Sequence, residues 1–357
     1  MPSCCVGKIG ALVLTYNRKQ VLSRCLTAIM AQTEPVDEVI VLDNGSTDGT
    51  CEFLQQSGLL NNFPIALYRV SDNLGPSRGL AILFRLFKER GCDWLWCLDD
   101  DTIAGPDALK ELKAAYAANF SRPEEVGFLK SMVVSTDGSP NGLPEADLRT
   151  TPGYCASWAD RLAGGLVKVR WSTFNSILFP RSTLVRVGDL RPEFNFFGED
   201  IDFTLRVTDV LPGYLVGRSN VTHLCAESGK FSSLLEKTPE RISTGAYFYR
   251  NNLYFRYNYY SPGRTILYVG KCLYEAVLAL GVKTYPLQRS AAILRGLLSG
   301  VVFVASHRKT GEWAADPCPP NRPLYMGASP APMSVVLPPA KTMLAAEVPV
   351  TAKAEND

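Results

Sequence analysis

The sequence WLWCLDDDT at residues 94–102 joins an apolar, aromatic-rich run to three adjacent aspartates. Residues 94–98 are typical of a buried strand, and Asp99, Asp100 and Asp101 follow it directly. In an open α/β sheet, ligands bind beyond the carboxyl ends of the strands. Three adjacent carboxylates repel one another. A divalent cation bridging to a phosphate would offset that repulsion, because hard cations prefer oxygen ligands. The alternative is a solvated acidic turn.

The first hundred residues alternate between strand and helix patterns. Strands are predicted at 9–15, 38–42, 65–70 and 94–98, and helices at 19–32, from a cap at 46–48 to about 57, and at 79–90. This repetition predicts parallel strands joined by right-handed crossovers. Polar residues follow each strand, at 15–18, 43–44, 72–73 and 99–101, and these four strand ends are expected to line one crevice.

Composition and motifs argue against several classes of protein. The chain has 357 residues, of which 46% are hydrophobic, enough for a sizeable core. The formal charge of +2 gives no reason to expect a nucleic-acid partner. Neither a G-x-x-x-x-G-K-[ST] loop nor a G-x-G-x-x-G after the first strand is present, which argues against a P-loop nucleotidase and a dinucleotide-binding fold. The ten cysteines form no C-x-x-C pair, so we expect reduced thiols in the cytoplasm.

Four segments, in this order and spacing, resemble glycosyltransferase family 2: ALVLTYNR, EVIVLDNGSTDGT, SDNLGPSRG and WLWCLDDDT. The resemblance covers roughly residues 8–260. It implies the α/β GT-A fold, with a Rossmann-like nucleotide-binding half, a mixed-sheet acceptor half and, in this chain, C-terminal helices. It also implies a nucleotide-diphosphate sugar as donor.

The resemblance assigns residues to the donor nucleotide. They are Thr15, Tyr16, Asn17, Asp43, Asn73, Arg78, Asp99 and Asp100. Asp43 would accept a hydrogen bond from the base, and Asp100 would face the ribose. The alternatives are a helix cap for Asp43, a turn for Asn73, and packing against the sheet end for Tyr16.

A metal site is implied as well. Asp99 and Asp101 resemble the family's D-x-D pair, which holds Mn²⁺ or Mg²⁺ on the diphosphate. His223 follows a predicted strand end, about two dozen residues beyond Asp200, and resembles the histidine that completes the metal shell in related members. Imidazole suits Mn²⁺ beside carboxylates. The alternative is a structural or surface histidine.

The segment FFGED at 196–200 resembles the acidic pair of the family, at the start of a helix. An inverting transferase must deprotonate the acceptor hydroxyl, and a carboxylate can act as that general base. A helix N-terminus favours an ionised acid. We therefore predict Asp200 as the base and Glu199 as a binder of acceptor or sugar hydroxyls. The alternative is a helix cap, and Asp202 would pair with Arg206.

The acceptor half is less regular. A helix is predicted at 107–119, strands at 126–134, 164–170 and 172–179, and a loop at 136–152. Trp171 would stack on a sugar ring or pack in the core. The step Phe174-Asn175-Ser176 resembles a family segment near the acceptor, and its alternative is an ordinary buried strand.

The C-terminal third begins near residue 228. Residues 247–260 (YFYRNNLYFRYNYY) resemble a helix of galactofuranosyl- and rhamnosyl-transferases, which favours a glycan or lipid-linked glycan acceptor; the alternative is a packed aromatic helix. Apolar helices are predicted at 265–280 and 287–305, either on an anionic membrane surface or in a homo-oligomer interface or packed hairpin.

The sequence therefore predicts three regions: a GT-A catalytic domain at 1–227, a helical region at 228–311 and a Pro/Ala-rich disordered tail at 312–357. The expected function is metal-dependent, inverting transfer of a hexose, with galactofuranose or rhamnose favoured, from a UDP- or dTDP-sugar to a glycan in cell-surface polysaccharide synthesis. The expected place is the cytoplasm, or the inner face of the plasma membrane. The rivals are a nucleotidyl- or phosphoryl-transfer enzyme and an inactive glycan-binding scaffold.

Overall fold

One mixed, eleven-stranded sheet runs through the protein, with helices on both faces. The structure, a computed structural model, describes residues 7–150, 156–224 and 231–307, and the backbone of 324–327. The strands are β1 (Ile9–Thr15), β2 (Glu38–Asp43), β3 (Ile65–Arg69), β4 (Trp94–Asp99), β5 (Thr102–Ala104), β6 (Phe128–Ser135), β7 (Glu145–Ala146), β8 (Leu166–Trp171), β9 (Ile177–Pro180), β10 (Gly213–His223) and β11 (Leu324–Gly327).

Ten α-helices lie in the part of the chain that the structure describes. They are α1 (Lys19–Met30), α2 (Thr50–Gln56), α3 (Leu59–Asn62), α4 (Pro76–Lys88), α5 (Ala108–Asn119), α6 (Arg181–Val187), α7 (Glu199–Val210), α8 (Pro239–Tyr259), α9 (Pro262–Ala279) and α10 (Pro286–Ser306). The strand order is β11-β3-β2-β1-β4-β9-β6-β10-β8-β7, and β5 pairs with β10.

The predicted parallel half-sheet is confirmed. Strands β3, β2, β1 and β4 lie side by side and pair in parallel. Successive residues of β1 point to opposite faces: Val13 belongs to the apolar cluster that includes α1, and Leu12 to the one that includes α4. Both faces of β1 are therefore buried, which is why its sequence is continuously apolar.

One helix start agrees closely with the prediction and one differs. Helix α2 begins at Thr50, after the left-handed Gly49, and Asp48 in the predicted cap accepts the N–H of Thr50 at 3.1 Å. The N–H of Ser46 is bound by the carboxylate of Asp43, which forms a turn. Helix α4 begins at Pro76, three residues before the predicted start at 79, because proline has the φ that the first helical position requires.

The second half of the sheet is mixed, as predicted, but its strands are shorter. Strand β9 pairs antiparallel with both β4 and β6 and so joins the two halves into one sheet. It covers only Ile177–Pro180, not 172–179, because the hydroxyl of Thr204 on α7 binds the backbone of Ser172 on both sides, and Ser176 is left-handed with φ 67°. Strands β5 and β7 and helix α6 were not predicted.

The predicted C-terminal helices are confirmed, and α10 packs closely on α8. A Cβ at Gly296 would lie 2.6 Å from the carbonyl oxygen of Ala246 and 2.6 Å from Cβ of Tyr249, so only glycine fits there. The predicted disordered tail at 312–357 is corrected at one place: the backbone of Leu324–Gly327 pairs antiparallel with β3 and covers its edge. The rest of that tail, and the boundary near 227, lie outside the described residues.

The helix contact gives a stability prediction. The variant Gly296→Ala should lower the free energy of unfolding by roughly 1–3 kcal/mol, because α8 and α10 must separate to admit the methyl group. The matched variant Gly270→Ala, on the open side of α9 with nothing within 4 Å, should be neutral or stabilising by up to about 1 kcal/mol. Urea unfolding of both variants measures the difference, and equal stability would contradict the close packing.

Candidate active site

The carboxyl ends of β1 and β4 are tied together by side chains. The hydroxyl of Thr15 donates a hydrogen bond of 2.8 Å to Asp100. The guanidinium of Arg18 donates to Asp100 at 3.0 Å and to Asp101 at 2.9 Å. Arg18 was noted only as a polar strand-end residue, and the structure shows it partly neutralising the aspartate triplet.

The loops after β1, β2 and β3 are also joined. Asn17 is left-handed with φ 53°, and its side-chain oxygen accepts the N–H of Thr47 at 2.7 Å. The amide of Asn44 donates to the side-chain oxygen of Asn73 at 3.2 Å, and Asn73 in turn accepts the N–H of Gly75 at 2.9 Å. The four predicted strand ends therefore do converge on one crevice.

The predicted donor-binding residues differ in how deeply they are buried. Asp43 is fully buried: one oxygen accepts the N–H of Ser46, in a turn, and the other lies 3.1 Å from Sγ of Cys51. It does not cap α2, which begins at Thr50. Tyr16 and Arg78, by contrast, lie at the surface of the crevice and are exposed. Their contact with a nucleotide stays a prediction.

Asp99, Asp101 and His223 form a cluster suited to a metal ion. One ligand atom from each lies within 4.8 Å of the others. Nε2 of His223 is 3.0 Å from Oδ1 of Asp101, so a protonated imidazole forms an ion pair with this carboxylate. A divalent cation bound by both side chains would take the place of that proton. Carboxylates and imidazole are the donor set expected for Mn²⁺ or Mg²⁺.

The charges in this cluster are strongly perturbed. Burial and the neighbouring Asp101 raise the pKa of Asp99 to about 7. Burial also opposes ionisation of Asp101, but His223 and Arg18 outweigh it and hold its pKa below the ordinary value. The pKa of His223 is raised by its contact with Asp101. A cation would relieve the repulsion between the two carboxylates.

The second acidic pair lies on the first turn of α7. Burial raises the pKa of Asp200 to about 6. Burial and the charge of Asp200 raise the pKa of Glu199 to about 8. Glu199 Oε2 lies 3.0 Å from the hydroxyl of Ser77, on the first turn of α4. At neutral pH, Asp200 is therefore mostly ionised and Glu199 mostly protonated. Two adjacent carboxyl groups whose pKa values differ in this way are able to act one as a base and the other as a hydrogen-bond donor.

Lys130, which sequence reasoning did not single out, lies between the two acidic groups. It is fully buried in β6, and its Nζ donates to the backbone and side-chain oxygens of Asn175. Burial lowers its pKa to about 7, while Asp99 and Asp200 both act to raise it. The available signal was a single lysine in the apolar strand FLKSMVVS. Asn175, predicted near the acceptor, is 5% exposed and bound to Lys130.

Helix α8 holds the loop that presents the acidic pair. The side-chain amide of Asn251 donates to the carbonyl oxygens of Phe194, Phe196 and Phe197. Phe197 is left-handed, and Gly198 has φ 108° with the ring of Phe255 2.8 Å from where a Cβ would stand. The helix is thus a packed aromatic element, and it also fixes the loop before Glu199.

Two further predictions concern Trp171 and Asp202. Trp171 is half-buried at the end of β8, and its indole N–H donates to Glu145 at 2.6 Å. Stacking on a sugar stays a prediction. Asp202 is fully buried and pairs with Arg206 at 2.9 Å, as expected, and with Arg191 at 3.1 Å.

The architecture is that of a GT-A fold. A parallel half-sheet ends in the D-x-D residues Asp99 and Asp101, and it is joined to a mixed half-sheet beside which Glu199 and Asp200 lie. Residues 11–121 match the sequence model of glycosyl transferase family 2. The first third of the chain therefore carries a segment similar to glycosyl transferase family 2, where the motifs predicted it.

Relatives with similar sequences carry the names of glycosyltransferases. Galactofuranosyltransferase GlfT1 of Mycobacterium tuberculosis is 29% identical over 215 residues, which cover 56% of this chain and 64% of that protein. Abequosyltransferase RfbV of Salmonella typhimurium is 36% identical over 107 residues, 29% of this chain and 31% of that protein. The matches thus span less than two thirds of the relatives' own length. The solved structure of GalNAc-T7 with UDP, GalNAc and Mn²⁺ aligns with a TM-score of 0.54 and 13% identity, over 85% of this chain and 58% of that one. This likeness shows the shared fold.

The metal cluster predicts a binding defect. Asp101→Asn should weaken Mn²⁺ binding by at least about tenfold, because an amide oxygen replaces a charged ligand. Titration calorimetry with Mn²⁺, in the presence of UDP, measures the change. The control Asp189→Asn removes an exposed aspartate that pairs with Lys88 and should bind Mn²⁺ like the wild type. Unchanged binding in Asp101→Asn would place any metal elsewhere.

Proposed function

We propose that this chain is a metal-dependent, inverting glycosyltransferase. It moves a hexose, with galactofuranose or rhamnose favoured, from a UDP- or dTDP-sugar to a hydroxyl of a glycan or lipid-linked glycan in cell-surface polysaccharide synthesis. The observation that carries the proposal is the cluster of Asp99, Asp101 and His223, whose ligand atoms lie within 4.8 Å of one another at the end of the parallel half-sheet. The carboxyl pair on α7 supports it, because the charges of Asp99 and Asp200 both act to raise the pKa of the buried Lys130.

The sheet rim supplies the donor site. The joined loops after β1 to β3 form a rigid edge against which a nucleotide is held, with Tyr16 and Arg78 exposed toward it. Asp99, Asp101 and His223 would hold the divalent cation. When bound, the cation neutralises charge on the diphosphate leaving group. Holding the donor in one orientation accounts for a large part of the rate, because the reacting atoms are already aligned.

The carboxyl pair supplies the acceptor side. Asp200 is ionised at neutral pH and takes the proton of the attacking hydroxyl. Glu199 accepts a hydrogen bond from the hydroxyl of Ser77 and carries its proton, so it binds a sugar hydroxyl rather than acting as a second base. Lys130 balances the negative charge on both sides of the reaction site.

The choice of sugar and nucleotide follows the relatives, and the choice of location follows the cysteines. The favoured galactofuranose follows the name of the mycobacterial relative, and the UDP donor follows the nucleotide in the GalNAc-T7 structure. The proposed location is the cytoplasm, peripheral to the inner face of the plasma membrane. The five described cysteines are free thiols, in keeping with a reducing compartment.

A donor screen tests the activity. UDP- and dTDP-sugars are offered with Mn²⁺ or Mg²⁺, and the released products are identified. A glycosyltransferase releases a nucleoside diphosphate, and chelation of the metal should abolish the release. Release of pyrophosphate or inorganic phosphate alone would favour a nucleotidyl- or phosphoryl-transfer enzyme. No metal-dependent turnover with any donor would favour a glycan-binding scaffold.

The carboxyl pair predicts a difference between two conservative variants. Asp200→Asn should reduce transfer by roughly 10²–10⁴-fold, because an amide cannot accept the proton, while donor binding stays nearly intact. Glu199→Gln is the matched control: it preserves a neutral hydrogen-bonding group and should retain transfer within about tenfold of the wild type. Steady-state kinetics and donor titration measure both.

The pH profile gives a second readout of the same base. Since the active form of Asp200 is ionised and its pKa is about 6, kcat of the wild type should fall as the pH drops through 6. Equal loss of donor binding and transfer in Asp200→Asn, or a flat profile across pH 6, would mean that Asp200 is structural.

A further inference from the structure

The outward side of α9 and α10 is apolar. Thirteen of the twenty-two large hydrophobic side chains that are exposed in the described structure lie between residues 266 and 302. On α10 they are Leu287, Leu294, Leu298, Val301 and Val302, whose spacings of seven, four and three or four residues place them on one side of the helix. The two helices pack against each other, so the exposed rows are neighbours. Soluble monomers rarely leave so much contiguous apolar surface uncovered.

The inner side of α10 is fixed to the rest of the protein. Gly296 meets α8 with no room for a side chain. Arg289 is 2% exposed and donates to the carbonyl oxygens of Ser233, Glu236 and Thr284. Among the described residues, one helix, Pro286–Ser306, is long and apolar enough to cross a membrane. However, 39% of its most apolar 18-residue stretch is buried against the rest of the protein. A helix packed in this way is able to lie along a lipid surface, not to be surrounded by lipid.

The charges of this surface have one sign. Within 262–307, the charged side chains that are exposed are all basic: Arg264, Lys271, Lys283 and Arg295. The acid of this segment, Glu275, is half-buried, accepts a hydrogen bond from Tyr249 and pairs with Lys271 at 3.4 Å, which leaves Lys271 67% exposed. Apolar side chains flanked by cations complement an anionic lipid surface.

A second copy of the chain complements this surface less well. A two-fold symmetric contact sets the same patch against itself. Exposed cations on both sides would then face cations, and Glu275, the acid of the segment, is already paired with Lys271 of its own helix. Charge therefore favours a lipid partner over a dimer.

We propose that α9, α10 and the turn between them dock the protein on an anionic bilayer. The apolar rows enter the interface between headgroups and acyl chains, and the four basic side chains lie at the lipid phosphates. This docking is independent of which sugar is transferred, so it can fail while the proposed activity stands.

Vesicle co-sedimentation of the full chain tests the docking. The probes are phosphatidylcholine vesicles with and without phosphatidylglycerol. One variant removes apolar contacts (Leu298→Ser with Val302→Ser), and a second reverses charge (Lys271→Glu with Arg295→Glu). The matched control, Leu148→Ser with Val185→Ser, changes two side chains that are 63% and 76% exposed outside this surface. Circular dichroism and soluble donor hydrolysis check that every variant is folded.

The wild type should bind the anionic vesicles and bind neutral ones much less. Each variant pair in α9 and α10 should weaken anionic binding by roughly tenfold or more, because each cation near such a surface contributes about fivefold. The control should bind like the wild type. Wild-type protein that stays in the supernatant with both vesicles would overturn the proposal. So would equal loss in the control, or a concentration-dependent dimer that the Leu298→Ser pair abolishes without vesicle binding.

Discussion

The repulsion between carboxylates at the end of β4 is the constraint on which the site depends. Asp99, Asp100 and Asp101 follow one another in sequence and are at least half-buried. Thr15 and Arg18 hold Asp100, and Arg18 and His223 hold Asp101. The pKa of Asp99 stays raised, because the side chain is buried and lies beside the charge of Asp101. A bound cation is the addition that would leave all three ionised.

The continuous sheet brings the second acidic group near the first. Strand β9 joins the parallel half to the mixed half, and β6 beside it carries Lys130 between Asp99 and Asp200. The amine is buried among opposite charges, so it links the two groups electrostatically. The family resemblance of the first hundred residues and the acidic pair beyond them thus describe one site.

Helix α8 connects this site to the C-terminal helices. On one side, Asn251 holds the loop before Glu199, and on another, α8 packs against Gly296 of α10. The helical region is therefore part of the support for the acidic pair and not a separate appendage in the described structure. A protein docked through α9 and α10 would hold its acidic pair at a fixed height above the lipid, within reach of a lipid-linked acceptor.

Local patterns were sufficient for the first half of the fold. Buried parallel strands are continuously apolar, so the sequence alone predicted β1 to β4. Polar residues follow the carboxyl ends of these strands, which lie at one edge of the sheet, so the sequence also predicted that the strand ends converge. The sequence also predicted the ion pair of Asp202 with Arg206, because side chains four residues apart are neighbours on a helix.

Contacts between distant segments decided the rest. Strand β9 begins only at Ile177, because Thr204 of α7 binds the backbone of Ser172 before it. No local sequence pattern predicts that contact. Lys130 is a site residue only because folding surrounds it with Asp99, Asp200 and Asn175. The pKa separation of Glu199 and Asp200 arises from burial, which only the folded structure sets. The sequence by itself determined which ionisable residues the site contains. Only the tertiary structure decided which of these residues are buried and which form ion pairs, because both depend on segments that are distant in the chain.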